Sequence, residues 1–118
     1  MIRRGDVYWV ALDPVIGSEI AKTRPAVIIS NDIANEKSDL VTVIPLTSNT
    51  SRIYPFEVLF PAAQSGLERD SKAKANQIRT IDKKRLLSRL GQVNAALLAK
   101  VEEALLLHLG IERDSVST

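Results

Sequence analysis

The order of apolar and polar positions in this chain predicts several short strands followed by one helix. Residues 7–12 (Val-Tyr-Trp-Val-Ala-Leu) combine β-branched and aromatic side chains and stop at Asp13-Pro14, a turn signal. Residues 25–30 (Pro-Ala-Val-Ile-Ile-Ser) form a second run. Its apolar residues are consecutive, which predicts a strand covered on both faces or a strongly curved sheet. Residues 40–46 are a third strand, and Pro45, lacking an N–H, places that end at an edge or a bulge. Residues 56–60 (Phe-Glu-Val-Leu-Phe) are a fourth strand between Pro55 and Pro61, with Phe56 as a core residue. Residues 72–80 alternate less cleanly, with Ala73, Ala75 and Gln77 on one face and Lys72, Lys74 and Asn76 on the other. Leu86, Leu87, Leu90 and Val93 belong to a short turn and a final strand, and residues 33–38 to one helical turn.

The period changes after Asn94. Leu97, Val101, Ala104, Leu105 and His108 follow helical spacing and form one apolar stripe over Ala95–Leu109. Asn94 is the expected N-cap and Gly110 the residue just past the C-terminus. His108 then reads as a packing or capping residue rather than a catalytic one. Residues 113–118 read as a frayed tail. About five short strands and then one amphipathic helix predict a mainly β single domain over residues 1–118, a small antiparallel barrel with the helix packed against it.

Composition narrows the chemistry. A chain of 118 residues with 45% apolar and 25% charged side chains is one globular domain. Without cysteine there is no disulfide, no zinc–thiolate site and no Cys nucleophile. One histidine excludes a His-rich metal site and a His-pair mechanism. No apolar run reaches the roughly 18 residues of a membrane span, and the N-terminal residues lack a signal-peptide core. The expectation is a cytoplasmic protein with no membrane, no metal and no cofactor. A net charge of +2 argues against a nucleic-acid partner, but the average hides a segregation. Between residues 69 and 89, eight basic side chains stand against Asp70 and Asp82. From Asn94 onward acids outnumber bases four to two, so residues 1–93 carry +4. That pattern fits either a polyanion-binding footprint or a solvated surface of uneven charge.

Several blocks occur in a specific order and spacing: Arg4-Gly5-Asp6-Val7-Tyr8-Trp9, Gly17-Ser18-Glu19, and Thr23-Arg24-Pro25-Ala26-Val27-Ile28-Ile29-Ser30-Asn31-Asp32. Val43-Ile44-Pro45-Leu46-Thr47-Ser48-Asn49 follows, then Gln77-Ile78-Arg79-Thr80-Ile81-Asp82-Lys83-Lys84-Arg85-Leu86. From Arg4 to about Leu109 the chain resembles the MazF/PemK toxins of type II toxin–antitoxin systems. The resemblance implies an SH3-like barrel of the CcdB/MazF kind, a homodimer, sequence-specific cleavage of single-stranded RNA (messenger RNA foremost), and neutralisation by a cognate antitoxin. An acidic, disordered antitoxin segment along a basic groove would match the charge segregation.

Metal-free RNA cleavage uses the ribose 2′-OH as nucleophile and leaves a 2′,3′-cyclic phosphate and a 5′-hydroxyl. It needs a base, a cation for the phosphorane and a proton source. Arg24, held before Pro25, has the permanent charge and donor fork for the phosphorane, and the resemblance places the key catalytic Arg here. Thr47 is the second candidate, donating to the scissile phosphate or bonding its own turn, and Ser48 can share the role. Glu19 is a weaker third, as general base, against a solvated loop carboxylate or one paired with Lys22. Gln77 can read a base edge, contact phosphate or be a buried structural amide. Lys72, Lys74, Arg79 and Lys84 are candidate phosphate contacts, and Tyr54 can stack on a splayed base. Asp82-Lys83-Lys84-Arg85 reads as a charged turn. The loops at 15–23 and 48–54 are expected to frame the bases. A non-enzymatic inhibitor of the CcdB kind and a plain single-strand-binding barrel are the rival classes.

Overall fold

The computed structural model describes residues 1–112; the tail expected at 113–118 lies outside them. Seven strands form one antiparallel sheet: β1 (Asp6–Ala11), β2 (Thr23–Ile28), β3 (Leu40–Thr47), β4 (Glu57–Phe60), β5 (Ser71–Lys74), β6 (Arg79–Asp82) and β7 (Leu86–Gln92). The helices are α1 (Asp32–Lys37) and α2 (Ala95–Leu109). The strand order is β4-β5-β3-β2-β1-β7, with β6 also paired to β3. The path ends at β4 and β7, which are not paired with each other, so the expected barrel is a bent sheet that does not close. The mainly β class with a C-terminal helix stands as expected. Among the described residues no helix is long and apolar enough to cross a membrane.

The consecutive apolar run of β2 is explained by two cores, one on each face. Val27 and Ile29 join Val7, Ile44, Leu46, Phe60 and the α2 residues Leu97, Val101 and Ala104 on one side. Ala26 and Ile28 join Val10, Leu12, Val41, Val43 and Ile81 on the other. Strand alternation thus buries every residue from Ala26 to Ile29.

Pro45 lies in a central strand, not at an edge. Residues 40–43 of β3 pair with β6, and Leu46 and Thr47 pair with β5. Pro45 stands at the break between those partners, where a missing N–H costs no ladder bond. The break also corrects the reading of residues 72–80. They are not one strand: β5 ends at Lys74, a 3-10 turn spans Ala75–Gln77, and β6 begins at Arg79. Lys72 is buried and Asn76 is exposed, the reverse of a shared solvent face.

The helix follows its local signals. The Asn94 side chain accepts from the Leu97 amide at 2.8 Å, and Gly110 closes the helix in the left-handed region at φ 70°. Leu97, Val101 and Ala104 face the core, while His108 is exposed in the last turn. Phe56 lies just outside β4, half-buried, and stacks on Tyr54 with ring centroids 5.5 Å apart rather than entering the core.

Candidate functional site

A cleft of about 400 Å³ runs between the start of β2, the end of β3 and the loop before β5. Lys22, Thr23, Arg24 and Pro25 line it from β2, Ser48 from beyond β3, and Glu68, Arg69 and Ser71 from the loop side. Trp9, Leu46, Leu67 and Leu90 give it an apolar floor. Cations, hydroxyls and one exposed aromatic ring in one groove are the groups a single-stranded polyanion requires. Arg24 is half-buried, and its Nε donates to the Ala21 carbonyl at 3.3 Å. That contact anchors one edge of the guanidinium and leaves its other nitrogens for an anion.

A second cleft of about 420 Å³ is lined by Ser18, Glu19, Ile20, Pro45 and residues 76–79. Alternation along β2 sets Arg24 on the face of Ala26, which pairs with Pro45 of this second cleft. Arg24 thus lines the first cleft on a strand face that continues through Ala26 beside Pro45 of the second.

The sequence candidates divide among these places. Arg24 and Ser48 share the first cleft. Thr47 ends β3 next to Ser48, half-buried, and its hydroxyl accepts a long bond from the Asn49 amide at 3.4 Å. Both readings of Thr47 are thus compatible, because accepting from its own turn leaves the hydroxyl proton available. Glu19, Gln77 and Arg79 share the second cleft. The Glu19 Oε1 accepts the Ile16 amide at 2.8 Å and makes no ion pair with Lys22. Gln77 accepts from the Ile20 amide at 3.2 Å, and Arg79 donates to the Leu12 carbonyl at 3.1 Å. Their polar groups are directed at the protein's own loop.

Lys72 requires a correction. Its ammonium is buried, 2.9 Å from the Glu57 carboxylate and 2.6 Å from the Arg52 carbonyl, and it cannot meet a phosphate there. Lys74, half-buried, adds a 3.5 Å contact to the other Glu57 oxygen. Burial pushes the Glu57 carboxyl up, but the Tyr54 amide and the Lys72 and Lys74 ammoniums outweigh it and hold the group below its ordinary range. Lys84 is exposed on the turn after β6. Tyr54 is exposed on another part of the surface, where its hydroxyl accepts from Arg52 at 2.9 Å. The sequence reading passed over Trp9, the chain's one tryptophan, which is 37% exposed in the first cleft. Period-two alternation was its signal, since Val7 and Trp9 share one face of β1 and Val10 takes the other.

The model of the PemK-like, MazF-like toxins of type II toxin–antitoxin systems matches residues 3–109. The chain is 49% identical over 116 residues to the endoribonuclease MazF9 of Mycobacterium tuberculosis, covering 94% of this chain and 98% of that one. An endoribonuclease solved in complex with its cognate antitoxin from a mycobacterial species superposes with a TM-score of 0.80 at 27% identity, covering 97% of this chain and all of the other. MazF of Deinococcus radiodurans gives a TM-score of 0.81 at 31% identity, with 92% of this chain and 96% of that one covered. The match in sequence, fold and length is thus continuous from Arg3 to Leu109, and the chain belongs to the PemK-like, MazF-like toxin family of type II toxin–antitoxin systems.

Proposed function

We propose that this protein is a sequence-specific endoribonuclease toxin that cleaves single-stranded RNA without a metal ion. The 2′-OH attacks the adjacent phosphorus, the 5′-oxygen leaves, and the products carry a 2′,3′-cyclic phosphate and a 5′-hydroxyl. Arg24 stabilises the phosphorane, where an aimed cation in a partly dry groove is worth about 3–4 kcal/mol. Thr47, with Ser48 beside it, donates to a non-bridging oxygen. Glu19 is the candidate base, and binding of RNA over the second cleft is the desolvation that would raise its affinity for a proton. Lys22, Arg69 and Lys74 hold the phosphate backbone, and Trp9 and Tyr54 offer stacking faces. The single observation that carries this reading is the first cleft, which gathers Arg24, Lys22, Arg69, Ser48 and Trp9 on one groove.

The protein acts in this reading as a cytoplasmic homodimer, neutralised by an antitoxin that lays an acidic segment in the same groove. An endoribonuclease of similar fold has been solved with its cognate antitoxin, which supports that partner. Exposed apolar residues on β4 and α2, Leu59, Leu107 and Leu109 among them, support a second copy as cover.

Purified protein incubated with a long messenger RNA in excess EDTA tests the reading. Fragments ending in cyclic phosphate at a short shared sequence are the expected result. Binding without cutting would leave a single-strand-binding protein, and neither binding nor cutting would point to a protein-directed inhibitor.

A further inference from the structure

The segment between β1 and β2, residues 12–22, carries Ser18, Glu19 and Ile20 to the second cleft. Its first turns have no regular secondary structure, yet they are bonded from several directions. Arg85 Nη1 donates to the Ala11 carbonyl at 3.0 Å and to the Asp13 carbonyl at 2.6 Å. Arg79 Nη1 donates to the carbonyl between them, Leu12, at 3.1 Å. Carbonyls alternate in direction along an extended chain, so the two guanidiniums hold the exit of β1 from different sides. Farther along, Gln77 accepts from the Ile20 amide at 3.2 Å and makes a long 3.5 Å contact to the Ser18 carbonyl. The base is closed by the Leu12 amide on the Lys22 carbonyl at 2.9 Å and by the Lys22 amide on the Asp13 carboxylate at 3.0 Å. Lys22 itself sits at φ 70°, a left-handed conformation that a lysine adopts only when neighbours enforce it.

The loop's non-local side-chain hydrogen bonds thus come from one stretch, residues 77–85, which belongs to neither arm of the loop, while Leu12, Val15 and Ile20 pack into the apolar cluster with Val41, Val43 and Ile81. Arg79 and Arg85 are both half-buried. The sequence makes Arg79 a candidate phosphate contact and places Arg85 in a charged turn, but the bonds of both run inward to carbonyls. Both Arg85 bonds leave one nitrogen, Nη1, whose two in-plane hydrogens have directions fixed by the planar guanidinium, which a lysine ammonium on a flexible stem does not reproduce.

We propose that Arg85, together with Arg79 and Gln77, is a positioning residue. The three form a clamp that fixes the loop at 12–22 and so places Glu19 and its neighbours over the RNA, and Arg85 does not itself contact phosphate. This rests on the nuclease reading above for its catalytic consequence, but the clamp can be measured without RNA. Arg85→Lys keeps the charge and removes the planar guanidinium with its fixed Nη1 hydrogens. Amide hydrogen exchange across residues 12–22 is expected to accelerate about tenfold or more in the free variant, with exchange in β3 and α2 unchanged. In cleavage assays kcat is expected to fall about tenfold with KM within twofold of the parent, the mark of a misplaced group rather than lost binding. The salt dependence of RNA binding is expected to stay the same in Arg85→Lys and in Arg85→Gln. Gln77→Ala gives a second handle if Arg85 variants fold poorly, with faster exchange confined to residues 18–20.

Unchanged loop exchange in both Arg85 variants overturns the clamp. So does a salt slope in Arg85→Gln reduced by about one phosphate contact with the loop still protected, which would make Arg85 a phosphate ligand. If the parent protein cuts no RNA, the nuclease reading fails, and faster exchange in the variants still supports the clamp.

Discussion

Replacing Lys72 by Met should damage stability and not RNA affinity. Met keeps most of the length of the aliphatic stem, so the change isolates the ammonium. The Glu57 side chain is 1% exposed and that of Lys72 9%, so the pair lies in a poorly solvated place. Removing one member of a buried pair leaves the other charged and unmatched, at a cost of about 3–5 kcal/mol. Here Lys74 remains 3.5 Å from the second Glu57 oxygen and the Tyr54 amide still donates at 2.9 Å. The Arg52 carbonyl, however, loses its 2.6 Å donor. With those retained partners the expected loss is about 2–4 kcal/mol, or a fall in Tm of roughly 8–16 °C for a domain of this size. Denaturant unfolding at fixed protein concentration measures it, since any self-association adds to apparent stability. The double variant Glu57→Gln/Lys72→Met should recover at least half of the loss, because no buried charge is then left unmatched. A single variant within about 0.5 kcal/mol of the parent, with weaker RNA binding and a shallower salt slope, would refute this reasoning and return Lys72 to the RNA surface.

Other expectations concern acid, packing and capping. The Glu57 carboxyl is held below its ordinary value of 4.5, so its stabilising contribution is complete above that value and is lost as pH falls through the folded one. Unfolding curves of parent and Glu57→Gln should therefore differ at neutral pH and converge below pH 4.5; a gap that stays constant would argue against the ion pair. A Cβ added at Gly66 would collide with the Leu90 carbonyl oxygen, and the residue sits at φ 78°, so Gly66→Ala should cost about 2 kcal/mol or more and shift the cleft wall that continues through Leu67. Calorimetry checks it, and a Tm equal to the parent's would mean the backbones can part freely. Asn94→Ala removes the cap on α2 and should cost about 1 kcal/mol in denaturant unfolding, whereas Asn94→Ser should be nearly neutral.

What was legible in the sequence was local. Asn94, the stripe from Leu97 to Leu105, and Gly110 define α2 because capping and periodicity act within a few residues. The β-branched runs at 25–30 and 40–46 located β2 and β3, and the consecutive apolar residues correctly implied that both faces are covered. Errors arose where a partner lies far along the chain. Lys72 looks like a surface cation until Glu57, 15 residues earlier, is folded against it. Arg79, a candidate phosphate contact, has one nitrogen taken up by the Leu12 carbonyl 67 residues away, which no local pattern announces. Pro45 signals an edge or an irregularity, and only the pairing of distant strands shows that its missing donor falls at a break between two partners of a central strand. The candidate site was legible as a set of residue types. Its division into an Arg24–Ser48 cleft and a Glu19–Gln77–Arg79 cleft follows from strand register, which local patterns do not encode.

The claim at the centre of this account is that Arg24, in the first cleft, carries the chemistry of RNA cleavage. Single-turnover cleavage of a defined RNA by Arg24→Ala in EDTA, at saturating protein, separates chemistry from binding most directly. The account predicts a rate reduced about a hundredfold or more, with RNA affinity lowered by no more than one phosphate contact and thermal stability close to the parent's. Cleavage by the folded variant at near the parent rate would contradict it.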